Sequence, residues 1–166
     1  RGQNTINGIF TKMRTFYIWS IDAGKTKNNP FRGFTVEECV YGTPYYISID
    51  ERNKLYKTDL SHRPQLAIQR DIFVFQCLIG CRVNDLYKMT TSNIINEAIE
   101  YIPRKTRDGR PVTVRVPLNT NAKEILSRYP DNIGGQLLPY ISEQKYNVAI
   151  KESFKLAELT RKVTVV

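Results

Sequence analysis

From Gln65 to Ile79 the chain gathers Leu66, Ile68, Ile72, Phe73, Phe75, Leu78 and Ile79 into one stretch that stops at Gly80. A helix so apolar has to be covered on most of its sides, so this stretch predicts a central core helix with other elements packed around it. Its longest apolar run, Ile72 to Cys81, is interrupted by Gln76 and is far too short to span a bilayer. Across 166 residues the chain is 41% hydrophobic and 25% charged, the balance of a soluble globular protein with one domain, or one domain and part of another.

Around that helix the pattern is mostly helical. Ile6, Ile9, Phe10, Met13, Phe16, Tyr17 and Ile21 recur at spacings of three and four, predicting a helix over Thr5–Ile21 with one buried face. Its other face carries Thr5, Lys12 and Thr15, and Gly24 ends it. Phe31 to Tyr46 holds Gly33, Gly42 and Pro44 without a sustained period and reads as a linker between two packed units. Ser48 and Glu51 are spaced as a capping box for a short helix through Tyr56. Arg82 to Met89 predicts a further short helix. Ala98–Thr106 and Pro111–Pro117 read as two strands joined around Asp108-Gly109, a hairpin signal. Asn119 or Thr120 caps a helix to about Tyr129, and Ser142–Leu159 is a long amphipathic helix. The expected fold class is mixed α+β, mainly helical, with one β-hairpin. The chain opens at Arg1 without an initiator Met or signal segment and closes on the strand-like run Val163–Val166. It is expected to be a fragment of a longer, cytoplasmic protein.

Lys and Arg number 25 against 16 Asp and Glu, a net charge of +9. Such an excess makes a polyanion, nucleic acid first, the leading partner class, although a basic surface also serves plain solubility. The lone His62 leaves no second histidine for a metal centre and argues against a Ser-His triad. Three cysteines without a CxxC pair give no disulfide framework and no zinc signature, so neither a metal nor a cofactor is expected. Cys77 and Cys81, four apart at the end of the core helix, read as small buried residues.

Two places concentrate chemistry. Arg104, Lys105, Arg107, Arg110 and Arg115 crowd the hairpin against Asp108 alone. Cations on a two-stranded ribbon reach phosphates across a groove, yet a solvated hairpin tip carries the same charges. In Gly80-Cys81-Arg82-Val83-Asn84-Asp85-Leu86, Arg82 stands between a helix-ending Gly and the next helix, with Asp85 one turn on. A guanidinium held there suits two non-bridging oxygens of one phosphate. A structural Arg–Asp pair is the other reading, and commoner for an isolated RxxD.

In order and spacing these elements resemble the tyrosine recombinase (phage integrase) family, in particular integrases of conjugative transposons. Four segments carry the likeness. Thr5 through Phe16 to Asn29-Pro30-Phe31 resembles the last helix of the core-binding domain and its exit. Thr43-Pro44-Tyr45-Tyr46-Ile47, with Asp50-Glu51-Arg52, resembles the start of the catalytic domain. Phe75 to Leu86 resembles the box usually written TGLRxSEL, with Cys81 in place of Leu and Asn84 in place of Ser. Ile102-Pro103-Arg104-Lys105-Thr106, then Val116-Pro117-Leu118, resembles the hairpin that bears the catalytic lysine.

The resemblance implies residues 1–33 as the end of a helical core-binding domain, 34–47 as linker and 48–166 as a partial catalytic domain. It implies Arg82 as the first catalytic arginine, Asp85 as its supporting acid and Lys105 as the hairpin lysine. Lys12, Thr15, Arg104, Arg107 and Arg110 would contact double-stranded DNA. Family members join DNA through a 3′-phosphotyrosyl link without metal, acting with other recombinase protomers in moving mobile DNA. Their HxxR box and nucleophilic tyrosine would lie beyond Val166, so the chain alone is expected not to cleave DNA. A catalytically silent DNA-binding regulator of an intact recombinase is the alternative. A plain RNA-binding domain is disfavoured, because the sequence shows no aromatic platform of the RRM type.

Overall fold

The computed structural model describes residues 2–39, 41–42, 46–107, 109, 111–130 and 133–161, without the side chains of Arg107 and Ile133. They fall into two compact units divided after residue 45. The first contains α1 (Gln3–Asp22). The second contains α2 (Ile49–Lys57), α3 (Pro64–Ile79), α4 (Val83–Leu86), β1 (Ile94–Ile95), β2 (Ala98–Tyr101), α5 (Arg104–Arg107), β3 (Val114–Pro117), α6 (Thr120–Ser127) and α7 (Glu143–Leu156).

In the first unit, α1 runs one or two residues past its expected ends and stops at a tight turn in which Gly24 has φ +68°. The apolar stripe does not form the buried face its spacing predicts. Ile9, Phe10, Met13, Phe16 and Trp19 are exposed, and only Asn7 and Ser20 are buried. Among the described residues this stripe has few partners. Phe34 packs on Phe10 with ring centroids 5.5 Å apart and Phe31 on Tyr17 at 5.8 Å, but two rings cannot cover a helix of this length. Lys12 and Thr15 are exposed.

The second unit is built on α3, which packs against α2, α6 and α7. Ile72, Val74 and Phe75 are fully buried, joined by Leu55 of α2, Ile125 of α6 and Tyr146 of α7. Dense apolar content therefore produces the central helix the sequence predicts. The capping box forms: the Glu51 N–H donates to Ser48 Oγ at 3.1 Å, and the Ser48 N–H donates to Glu51 Oε2 at 2.7 Å. Asn119 caps α6 by accepting from the Ala122 N–H at 2.9 Å. One charged residue sits deep in the core. Asp71 of α3 accepts from Arg70 Nε, Arg128 Nη1 and Tyr129 Oη, each at 2.9 Å, so its carboxylate is paired and hydrogen-bonded where an isolated one would be costly.

Two corrections concern the hairpin. β2 and β3 pair antiparallel with Ala98 opposite Pro117 and Tyr101 opposite Val114, but a third strand, β1, flanks β2. With only two residues, β1 is too short to show any alternation in sequence. The strands are also shorter than expected, because β2 ends at Tyr101 and Arg104–Arg107 is a helical turn. Pro103 has no N–H for the ladder, and its carbonyl accepts instead from the Thr106 N–H and hydroxyl, both at 3.1 Å. Asp108, Arg110, the Thr43-Pro44-Tyr45 segment and the strand expected at Val163–Val166 lie outside the described residues.

Candidate nucleic-acid interface

Arg82 is placed by the way α3 ends. Gly80 adopts the left-handed conformation (φ +68°, ψ +24°), which costs glycine little, and its N–H donates to Gln76 O at 2.9 Å. The chain then extends through Arg82 (φ −74°, ψ 150°), whose carbonyl accepts from the Asp85 N–H at 3.0 Å and the Leu86 N–H at 2.9 Å as α4 begins. The Arg82 backbone is therefore fixed while its side chain is 62% exposed.

Asp85 faces two ways. Its side chain is only 5% exposed, and Oδ2 lies 3.9 Å from Arg82 Nη1, close enough to attract the guanidinium but too far for a hydrogen bond. Its other oxygen, Oδ1, accepts from the backbone N–H of Arg104 at 3.0 Å. One buried carboxylate thus ties the Arg82 turn to the turn that carries Lys105, across nineteen positions of sequence. No local pattern foretells that bond.

One member of the basic cluster is already paired. Arg115 stands opposite Glu100 in the β2–β3 register and pairs with it at 3.2 Å, so its charge is already matched. Arg104 and Lys105 are exposed, with no side-chain ion pair or hydrogen bond among the described residues. The Arg107 side chain and all of Arg110 lie outside those residues. A cleft of about 200 Å³ opens beside Asp85, lined by Lys88, Asn93, Tyr101, Ile102 and Arg104. Lys88, unpaired among the described residues, had no mark in the sequence beyond being one more basic residue. Asp85, Lys88 and Arg104 thus line this cleft, Arg82 adjoins it through its 3.9 Å approach to Asp85, and Lys105 follows Arg104 directly in sequence. Lys12 and Thr15 belong to the first unit.

Burial pushes the phenols of Tyr56, Tyr87, Tyr101, Tyr129, Tyr140 and Tyr146 above the ordinary tyrosine range. That is opposite to what a phenolate nucleophile needs. The buried Cys81 thiol is pushed up to about 12 for the same reason, so it behaves as core packing. Among the described residues no group of three or more His, Cys, Asp or Glu is arranged to hold a metal, and no helix is long and apolar enough to cross a membrane.

No protein-family model and no curated protein matches this sequence. Solved structures do match in three dimensions. Lambda integrase bound to DNA superposes with a TM-score of 0.66 at 17% identity, over 94% of this chain and 57% of that one. The chain has the fold of a tyrosine recombinase. A lambda integrase tetramer bound to a Holliday junction gives 0.65 at 16% identity, over 94% of this chain and 47% of the other. XerA recombinase gives 0.51 at 20% identity, over 73% and 46%. The chain thus spans about half the length of these tyrosine recombinases.

Proposed function

We propose that this chain is the DNA-binding part of a site-specific tyrosine recombinase that integrates or excises mobile DNA, and that it supplies two groups to the reaction. Arg82 contacts the non-bridging oxygens of the scissile phosphate, where negative charge grows as a tyrosine oxygen attacks phosphorus. Lys105 gives its ammonium proton to the departing 5′ oxygen, leaving a 3′-phosphotyrosyl link and a neutral amine. Asp85 supports both by holding their turns together. Lys88, Arg104, Arg107 and Arg110, with Lys12 and Thr15 of α1, follow the duplex backbone. The attacking phenol is assigned to none of the described tyrosines, and other recombinase protomers on the same DNA are the expected partners. No cofactor or metal is assigned, and the setting is the cytoplasm.

The observation that carries this reading is the exposed Arg82, tied through buried Asp85 to Arg104, within a fold shared with DNA-bound integrases. Sulfur substitution separates the roles. In the full-length protein, replacing the bridging 5′ oxygen by sulfur supplies a leaving group that needs no proton. Lys105→Ala is expected to be rescued by that substrate and Arg82→Ala is not. Equal rescue of both, or of neither, contradicts the assignment.

A further inference from the structure

Gln76 is the one polar residue in the apolar run from Ile72 to Cys81, and its position has a use. Its Nε2 donates to the carbonyl of Cys81 at 3.1 Å, and its Oε1 accepts from the Tyr146 hydroxyl at 2.8 Å. The assignment of the amide is forced. A carbonyl only accepts, so the amino group must face Cys81, which leaves Oε1 for a donor, and the tyrosine O–H is that donor. The Cys81 carbonyl shares a peptide plane with the Arg82 nitrogen. Anchoring it fixes the direction in which Arg82 leaves α3.

We propose that Gln76 and Tyr146 are positioning residues for Arg82, a relay in which α7 sets the aim of the phosphate-binding guanidinium through the amide of α3. The proposal rests on the reading of Arg82 as a phosphate contact. Arg82 is then held on both sides. The peptide before it is pinned by Gln76, and the carbonyl after it is pinned by the first turn of α4. Tyr146 is 3% exposed, and its ring meets the Tyr87 ring edge-on at 6.1 Å, so the hydroxyl has little freedom to turn elsewhere. Burial keeps it a phenol and therefore a donor. Gln76 serves the same turn twice, since its own backbone carbonyl accepts from the Gly80 N–H.

The test uses the chain with Tyr146→Phe and Gln76→Leu, alone and combined with Arg82→Ala. Two quantities are read: duplex affinity by fluorescence anisotropy at low salt, and the heteronuclear NOE of the Arg82 Nε–H. If the relay acts through Arg82, each variant lowers the NOE and weakens binding about threefold to tenfold, the worth of one hydrogen bond. In the Arg82→Ala background the same variants should change affinity less than about twofold, because coupled residues are not additive. Equal losses in both backgrounds, or an unchanged NOE, would overturn the relay and leave Gln76 a packing residue. Arg82→Ala binding like wild type would instead overturn the phosphate contact, with the NOE still deciding the relay. Should Gln76→Leu fail to fold, Tyr146→Phe, which deletes a single oxygen, carries both readouts.

Discussion

Replacing Asp85 separates two interactions that its carboxylate makes at once. Toward Arg82 the separation is 3.9 Å. Two unit charges at that distance attract by about 4 kcal/mol at an effective dielectric near 20. The Arg82 side chain is 62% exposed, however, so solvent screening reduces the pair to the surface range of about 1 kcal/mol or less. Toward Arg104 the contact is a hydrogen bond of 3.0 Å to a part-buried backbone N–H. Deleting its acceptor leaves that donor unmatched, at a cost of about 1–3 kcal/mol. Asp85→Asn keeps an acceptor oxygen of the same shape and loses only the charge, so it should cost about 1 kcal/mol or less. Asp85→Ala loses both and should cost about 1–4 kcal/mol, the sum of the two. Urea denaturation followed by circular dichroism reads both as shifts in midpoint at constant slope. If Asp85→Asn were as damaging as Asp85→Ala, the charge on Arg82 would be the larger interaction, and the tie to Arg104 would be structurally minor.

Other expectations follow from single contacts. Lys88→Ala should lower the slope of log affinity for duplex DNA against log salt by about 0.9, one phosphate contact, and an unchanged slope would remove Lys88 from the interface. Ser48→Ala should destabilise the second unit by about 1 kcal/mol through loss of the α2 cap, read by thermal unfolding. The Glu51 carboxyl is held below its usual range, first by the Ser48 N–H and further by Arg161. Because its folded pKa is depressed, its contribution is present above the unfolded pKa and is lost as pH falls through the folded one. Glu51→Gln should therefore flatten the acid side of the stability profile, and an unaltered profile would count against the capping box. Phe75→Ala should cost about 3–5 kcal/mol, since Phe75 of α3 is fully buried in the core, and a loss below about 1 kcal/mol would mean the core can collapse around it.

The sequence made legible whatever depends on neighbouring residues. The apolar crowding of α3, its Gly80 stop, the Ser48–Glu51 box and the Asn119 cap are local signals, and each has the expected element. β1 was not legible because Ile94-Ile95 holds one turn of alternation and no more. Arg104–Thr106 reads as strand in sequence because Arg, Lys and Thr tolerate either state, and the deciding feature is the missing donor of Pro103. The α1 stripe has the right period, but periodicity reports a face that favours burial and not whether partners exist to cover it. At the candidate site Arg82 and Asp85 stood out through their spacing. Lys88 did not, because a lone exposed lysine has no signature until a cleft forms beside it. Nor did the bonds from Asp85 to Arg104 and from Tyr146 through Gln76 to Cys81, which join residues far apart in the chain. Gln76 did leave a trace, as the polar break in an apolar run.

The claim at the centre of this account is that Arg82 contacts a DNA phosphate. The measurement that meets it most directly is a salt titration of duplex binding by the chain, wild type beside Arg82→Ala and Arg82→Lys. A phosphate contact predicts that Arg82→Ala lowers the salt slope by about 0.9. Arg82→Lys should keep most of the slope while losing affinity, because an ammonium retains the charge but not the planar two-point fork. Identical slopes and affinities for all three proteins would contradict the claim and leave Arg82 and Asp85 a structural pair at a helix junction.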